Sequence, residues 1–254
     1  MSDISRRRVI RTGIAATAGV SGVAAAARLA DLAGLIPPDS GGILGPGETL
    51  TYAAQRLIVD QSPAREFSRD KISKSPYPNG KPPADEIFVR HQANGFADWK
   101  LSVDGMVARP SSFSIAELKR FPVSSQITHL ACEEGWSYIA EWIGVPLAHV
   151  LEAAGLQAGA KYVVYASLPI QRRRWDSVDM AEALHPQTLI TYGMNGEALP
   201  VEHGGPLRLR VPRHLGYKSI KFITSITVTD SLKGFGKGRG SSAADGAYSW
   251  YAGI

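Results

Sequence analysis

With one cysteine, Cys132, among 254 residues, this chain cannot close a disulfide within itself. The same count excludes a four-cysteine iron–sulfur site and the C-x-x-C-H attachment of a c-type haem. The fold must therefore be held by packing. An apolar fraction of 44% against 20% charged residues is ordinary for a folded globular protein and can supply that packing.

The N-terminus bears on where the fold has to survive. Residues Ser5, Arg6, Arg7, Arg8, Val9, Ile10 and Arg11 resemble a twin-arginine export signal, and Gly13 to Ala27 follows as a weakly apolar run with no acidic residue. A basic, solvated terminus is the plainer reading of such a charge run. The order of basic and then apolar segments favours an export address, which implies a periplasmic protein. The run from Thr12 to Ala27 is shorter than the about 20 apolar residues of a membrane span. A soluble mature protein is expected unless the signal is retained as an anchor. Residues 1–36 hold five Arg and two Asp, so the net charge of +5 falls to 23 basic against 21 acidic residues beyond them. That balance argues against a nucleic-acid binder.

Along the chain, Asp31 to Gly47 reads as a linker and Ser62 to Pro83 as irregular surface chain. Ser114 and Glu117 form a capping box opening a short helix that ends before Pro122. Ser125 to Leu130 reads as a strand delivering Cys132 at its end, and Pro146 to Gly155 as a helix. Tyr162 to Leu168 is a predicted strand, Ser177 to Leu184 a predicted helix with Asp179 as its cap, and Thr188 to Met194 a strand entering an Asn195-Gly196 turn. Leu207 to Val211 alternates apolar residues with Arg208 and Arg210, as on a half-exposed strand. Ile220 to Thr229 is a last β-branched strand. Gly234 to Gly246 is loop-like, and the aromatic end Tyr248 to Tyr251 is expected to pack back on the domain. Without a βαβ rhythm the fold class is α+β, with a mixed, mostly antiparallel sheet.

Taken alone, Cys132 has three readings. A lone cysteine is usually a small buried hydrophobe. Its place after a strand, beside Glu133, Glu134 and Gly135, suits a soft thiolate ligand to a metal, with the other ligands coming from a cofactor. A nucleophile is the third reading, although neighbouring acids raise a thiol pKa.

Four segments between Glu86 and Asp230 carry a resemblance to the sulfite oxidase-like family of molybdopterin-dependent oxidoreductases. Phe88, Val89, Arg90 and His91 resemble its F-V-R-N-H segment, with His91 where Asn is common. Cys132 to Ser137, continued by Glu141 to Leu147, resembles the cysteine loop of the exported methionine-sulfoxide reductase branch. Tyr192 to Pro200 with His203 to Leu209 resembles its M-N-G…H-G-x-P-L-R-L run. Gly216 to Lys221 matches its G-x-K-S-x-K segment. The resemblance implies a sulfite oxidase-like molybdopterin-binding fold over residues 86–233. Residues 1–36 are then signal and linker, 37–85 an irregular N-terminal extension, and 234–254 a tail packed on the domain.

For the site, the resemblance implies one molybdopterin with its molybdenum on the sulfur of Cys132. Phe88, Val89, Arg90, His91, Ser167, His203, Arg208, Ser219, Ile220 and Lys221 would bind the cofactor. Arg90 and Tyr251 would join Cys132 in catalysis. At Ser167 the usual Asp-Gly is replaced by Leu168, Pro169 and Ile170. Without the resemblance, Arg208 and Arg210 read as the solvent face of a strand, His203 as a turn residue and Lys218 as a surface residue. Arg172, Arg173 and Arg174 read as a solvated loop, or as a lip for an anionic substrate or an acidic partner.

The implied activity is two-electron oxygen-atom transfer on a small sulfur compound, either sulfite oxidation or sulfoxide reduction. With no haem, iron–sulfur or dinucleotide motif, electrons would pass to a separate carrier, a membrane haem subunit or a periplasmic cytochrome. The alternatives are a non-catalytic exported protein that kept the fold without cofactor, and a thiol enzyme using Cys132.

Overall fold

Backbone pairing sorts the chain into two sheets around a shared core. The computed structural model describes residues 25, 27–31, 34–41, 44–59, 62–168 and 174–254. Arg6 and Arg7 of the expected export signal, and Arg172 and Arg173 of the basic run, lie outside them. In chain order the helices are α1 (Gly45–Ile58), α2 (Glu86–Ala93), α3 (Ile115–Leu118), α4 (Leu147–Ala154), α5 (Met180–Ala183) and α6 (Ser242–Asp245). The strands are β1 (Lys100–Gly105), β2 (Ser111–Ser114), β3 (Ser124–Ala131), β4 (Ser137–Pro146), β5 (Tyr162–Ser167), β6 (Trp175–Asp179), β7 (Leu189–Met194), β8 (Glu197–Ala198), β9 (Arg208–Arg210) and β10 (Ile223–Thr229).

One sheet runs β2-β1-β10-β5-β6 and the other β3-β4-β7-β8, with β9 also paired to β7. Among the described residues only β1 and β10 pair in parallel. The class is therefore α+β with mostly antiparallel strands, as expected. Leu101 and Val103 of β1, Tyr165 of β5 and Ile223 and Ile226 of β10 join Val145, Ile190 and Leu209 of the second sheet and Leu147 and Leu151 of α4 in one apolar cluster. Burying each such side chain contributes about 1.5–3 kcal/mol, which answers the lack of a disulfide. The capping box at Ser114 forms: the Glu117 N–H donates to Ser114 Oγ (3.2 Å), and the Ser114 N–H to Glu117 Oε2 (2.7 Å).

Three segments depart from the sequence reading. Ser177 and Val178 are strand rather than helix, because β6 pairs along β5 through Val164 and Val163. Only Met180–Ala183 is helical, with Asp179 capping it as expected. β9 is not half-exposed, since β7 covers one edge and Lys221 bridges to Arg208 on the other, leaving Arg210 0% exposed. Within 37–85, expected to be irregular, α1 runs for 14 residues.

Helix α1 and the tail clasp each other over β6 and α5. Asp179 accepts from Tyr52 Oη (2.6 Å), Arg56 Nε (2.7 Å) and Arg56 Nη2 (2.8 Å). Ser249 Oγ donates to Glu48 Oε1 (2.7 Å), and the Trp250 N–H to Asp39 Oδ2 (2.6 Å). Tyr52 meets the rings of Trp250 and Tyr251 edge-on, so the aromatic end packs against α1. Asp179 thus holds both the helix cap and the clasp. Asp179→Ala should cost about 3–5 kcal/mol in urea unfolding. A cost near the about 1 kcal/mol of a lost cap would mean that the clasp contributes nothing.

Candidate functional site

β3 hands the chain at Ala131 to a tight turn. The Cys132 N–H donates to Trp136 O (3.0 Å), the Gly135 N–H donates to Cys132 O (3.1 Å), and Gly135 adopts φ 87°. The turn leaves Cys132 half-buried at a cavity of about 1190 Å³. Burial, then the carboxylates of Glu133 and Glu134, push its thiol up to about 11, and Sγ lies 3.1 Å from Glu133 Oε2. A thiol held protonated in this way is a poor free nucleophile.

Cations form another part of the lining. Arg208 is 4% exposed, and its guanidinium donates to the carbonyls of His203 (2.8 Å) and Ser219 (3.0 Å), while its Nε has no partner among the described residues. Arg208 and Arg210 each sit 5.3 Å from the ring centre of Trp142, a cation–π support for two buried charges. Lys221 Nζ donates to the carbonyls of Asn79 (2.7 Å) and Glu202 (2.5 Å). Gly204, at φ 105°, lets it pass, since a Cβ there would lie 2.7 Å from Lys221 Cγ. Burial, Arg208 and Arg174 push the Lys221 ammonium down to about 7. Burial with Arg208 and Lys221 pushes His203 down to about 4, so its imidazole is neutral at pH 7. Among the described residues no carboxylate lies within ion-pair distance of Arg208 or Lys221.

Of the residues expected at the site, Cys132, Ser167, Arg208, Ser219, Ile220 and Lys221 line this cavity, and Arg174 joins them. His203 stands just behind, through its carbonyl on Arg208 and its Nδ1 3.3 Å from Tyr138 Oη. The segment from Phe88 to His91 does not line the cavity; it lies in helix α2. Phe88 is wholly buried and packs on the lining residue Phe222 (5.1 Å), Val89 and Arg90 are exposed, and His91 pairs with Asp98 (2.7 Å). Tyr251 is likewise displaced: it packs between Tyr52 and His214, while Tyr217 and Tyr248 line the cavity. Lys218, read as a surface residue, is 0% exposed and paired with Asp176. Sequence reading also missed the lip of Asn79 to Ala84, which sits in polar chain without a local signal.

The geometry is that of an α+β protein with cations and a single thiol lining one cavity. The chain belongs to the oxidoreductase molybdopterin binding domain family, whose model matches residues 89–234. It is 38% identical over 157 residues to a protein of Azospira oryzae carrying the provisional name protein-methionine-sulfoxide reductase subunit YedZ1, covering 62% of this chain and 56% of that one. It is 35% identical over 145 residues to the protein-methionine-sulfoxide reductase catalytic subunit MsrP of Ralstonia nicotianae, covering 52% and 44%. The chain thus spans about half the length of these curated relatives. Among solved structures, the sulfane dehydrogenase SoxCD of Paracoccus pantotrophus matches with a TM-score of 0.50 at 26% identity, over 53% of this chain and 39% of that one.

The donor set fits a molybdopterin. One soft thiol stands at the cavity for a metal, and the orphaned Nε of Arg208 with the unpaired charge of Lys221 suits a phosphate.

The Lys221 site has a pH signature in cofactor-free protein. Its folded pKa of about 7 lies below the ordinary 10.5. The charged form therefore costs stability, fully below pH 7, and the cost fades as pH rises toward 10.5. Thermal stability of the wild type relative to Lys221→Met should rise between pH 7 and 10. A constant difference would remove the assignment. Alkylation of Cys132 by iodoacetamide should accelerate with a midpoint near pH 11; a midpoint below 8 would instead mark an activated nucleophile.

Proposed function

We propose that the chain is the cofactor-bearing unit of an exported molybdenum oxidoreductase, acting by two-electron oxygen-atom transfer on a small sulfur compound. The observation that carries this reading is one cavity lined by both the lone thiol of Cys132 and the uncompensated cations Arg208 and Lys221. The family match and the sulfur-substrate names of the relatives support it. The arginine pair at Arg6 and Arg7 supports a twin-arginine route to the periplasm.

When bound, the molybdenum of a molybdopterin supplies the oxygen-atom-transfer and redox chemistry. The residues of the chain supply the setting. Cys132 would hold the metal through its sulfur, once free of the proton that burial and Glu133 keep on it. Arg208, Ser219, Ile220 and Lys221, which line the cavity, would hold the phosphate end, with Ser167 beside them. Neutral His203 braces Arg208 through its carbonyl without adding a further charge. Tyr217 and Tyr248, 5.4 Å apart edge to face, wall the cavity on the tail side. Arg90 and Tyr251 drop out of the proposed catalytic set, because neither reaches the cavity. Electrons exchange with a separate carrier, a membrane haem subunit or a periplasmic cytochrome. Arg174, exposed at the cavity, is the described part of a basic docking lip.

Protein purified from its own periplasm should contain molybdenum and one pterin per chain. Outer partners of a metal ligand are worth about 10–100-fold in activity, so Cys132→Ser should lower turnover by more than that while keeping its pterin. Sulfite and sulfoxides with artificial electron acceptors and donors are the substrates to screen. Near-normal turnover in Cys132→Ser would remove the thiolate role, and protein without molybdenum or pterin would favour the non-catalytic alternative.

A further inference from the structure

Asp176 is a buried acid that none of the preceding roles uses. It lies on β6, lines the same cavity as Cys132 and Arg208, and is 1% exposed, so it meets the cavity with an edge only. Its Oδ1 is occupied by Lys218 Nζ and by the Ser177 N–H (2.7 Å). Lys218 is itself fixed by the Ser177 carbonyl (2.7 Å) and by the face of Trp250 (5.1 Å). Oδ2 is buried and has no partner. A buried carboxylate oxygen without a donor costs about 1–3 kcal/mol or more, so something at this place is expected to donate to it.

The other cavity acids are already engaged. Glu133 Oε2 lies 3.1 Å from the Cys132 sulfur, and Glu134 Oε2 accepts from Asn79 Nδ2 (3.0 Å) and Trp136 Nε1 (2.8 Å). Asp176 also stands apart from the cations. Lys221 precedes β10, whereas Asp176 is on β6, and β5 lies between them. Two strand spacings amount to about 10 Å, and the register that sets Asp176 opposite Tyr165, and Tyr165 opposite Ile226, adds an offset of five residues along the strands between Ile226 and Lys221. A ligand spanning this distance needs an anionic group at one end and N–H donors at the other. A pterin phosphate has that form, since its aminopyrimidinone edge carries adjacent amino and ring N–H groups.

We infer that Asp176, held in place by Lys218, accepts hydrogen bonds from the N–H edge of the pterin ring while Arg208 and Lys221 hold its phosphate. The inference rests on the proposed function and adds to it a recognition residue outside the segments that carry the family resemblance. Burial raises the Asp176 carboxyl to about 6, with Lys218 opposing, so the group is ionised at neutral pH and suited to accept.

The test compares the pterin content per chain of the periplasmic holoprotein, by fluorescence after denaturation, and the rate of pterin loss on dilution. Asp176→Asn turns an acceptor into a partial donor and should retain pterin about 10-fold less well, the value of a hydrogen bond to a charged group. Because that variant leaves Lys218 buried without its partner, Asp176→Asn with Lys218→Met is made beside it, removing both charges. Cofactor-free samples of each are melted with and without inorganic phosphate. The expected result is loss of pterin in both variants with the phosphate-induced rise in Tm kept at the wild-type size. Wild-type pterin retention in the double variant would overturn the inference and leave Oδ2 to a water molecule. Loss of both pterin and the phosphate response would also overturn it, making the pair a folding element. A wild-type protein free of pterin would instead defeat the proposed function itself.

Discussion

Arg208 and Arg210 are carried into the interior by a strand only three residues long. Removing two guanidinium groups from water is costly, and burial lowers the pKa of both, Arg210 to about 9 with Arg208 adding to the effect. Carbonyl groups and the face of Trp142 offset part of the cost. Arg210 Nη2 donates to His129 O (2.5 Å) and so ties β9 to β3, the strand that ends at Cys132. The same strand therefore fixes the cationic lining and braces the approach to the thiol. Among the described residues no carboxylate lies within ion-pair distance of Arg208 or Arg210.

The clasp between α1 and the tail bears on the cavity from the opposite side. Ser242, Ala243, Gly246 and Tyr248 belong to the tail and line the cavity. They are kept there because Trp250 packs on Tyr52 and on Lys218, which reaches Asp176. Segments far apart in the chain thus form one wall, and the N-terminal extension is part of the domain's structure rather than a tether.

Local sequence signals were reliable where they rested on backbone chemistry. The Ser114 box, the Asp179 cap and the stop at Gly155, with φ 77°, formed as read. They failed where packing decided. α1 turns Leu50 and Leu57 outward and Tyr52 and Arg56 inward, the reverse of an ordinary amphipathic helix, so its apolar spacing carried no usable signal. The F-V-R segment formed a helix beside the cavity, and the tyrosines at the cavity are Tyr217 and Tyr248, not Tyr251.

From the sequence alone followed the reliance on packing, the α+β class and, by resemblance, a set in which Cys132, Ser167, Arg208, Ser219, Ile220 and Lys221 stood together with Phe88, Val89, Arg90, His91 and His203, which do not line the cavity. These depend on residue identity and on spacing along a single element. Only the tertiary structure decided that Arg210 and Lys218 are buried, that Asp176 faces the site, and that α1 clasps the tail. Burial and ion pairing depend on which strands and helices come together from distant parts of the chain. An arginine alternating with leucine reads identically whether its strand faces water or, as β9 does, lies between β7 and Lys221.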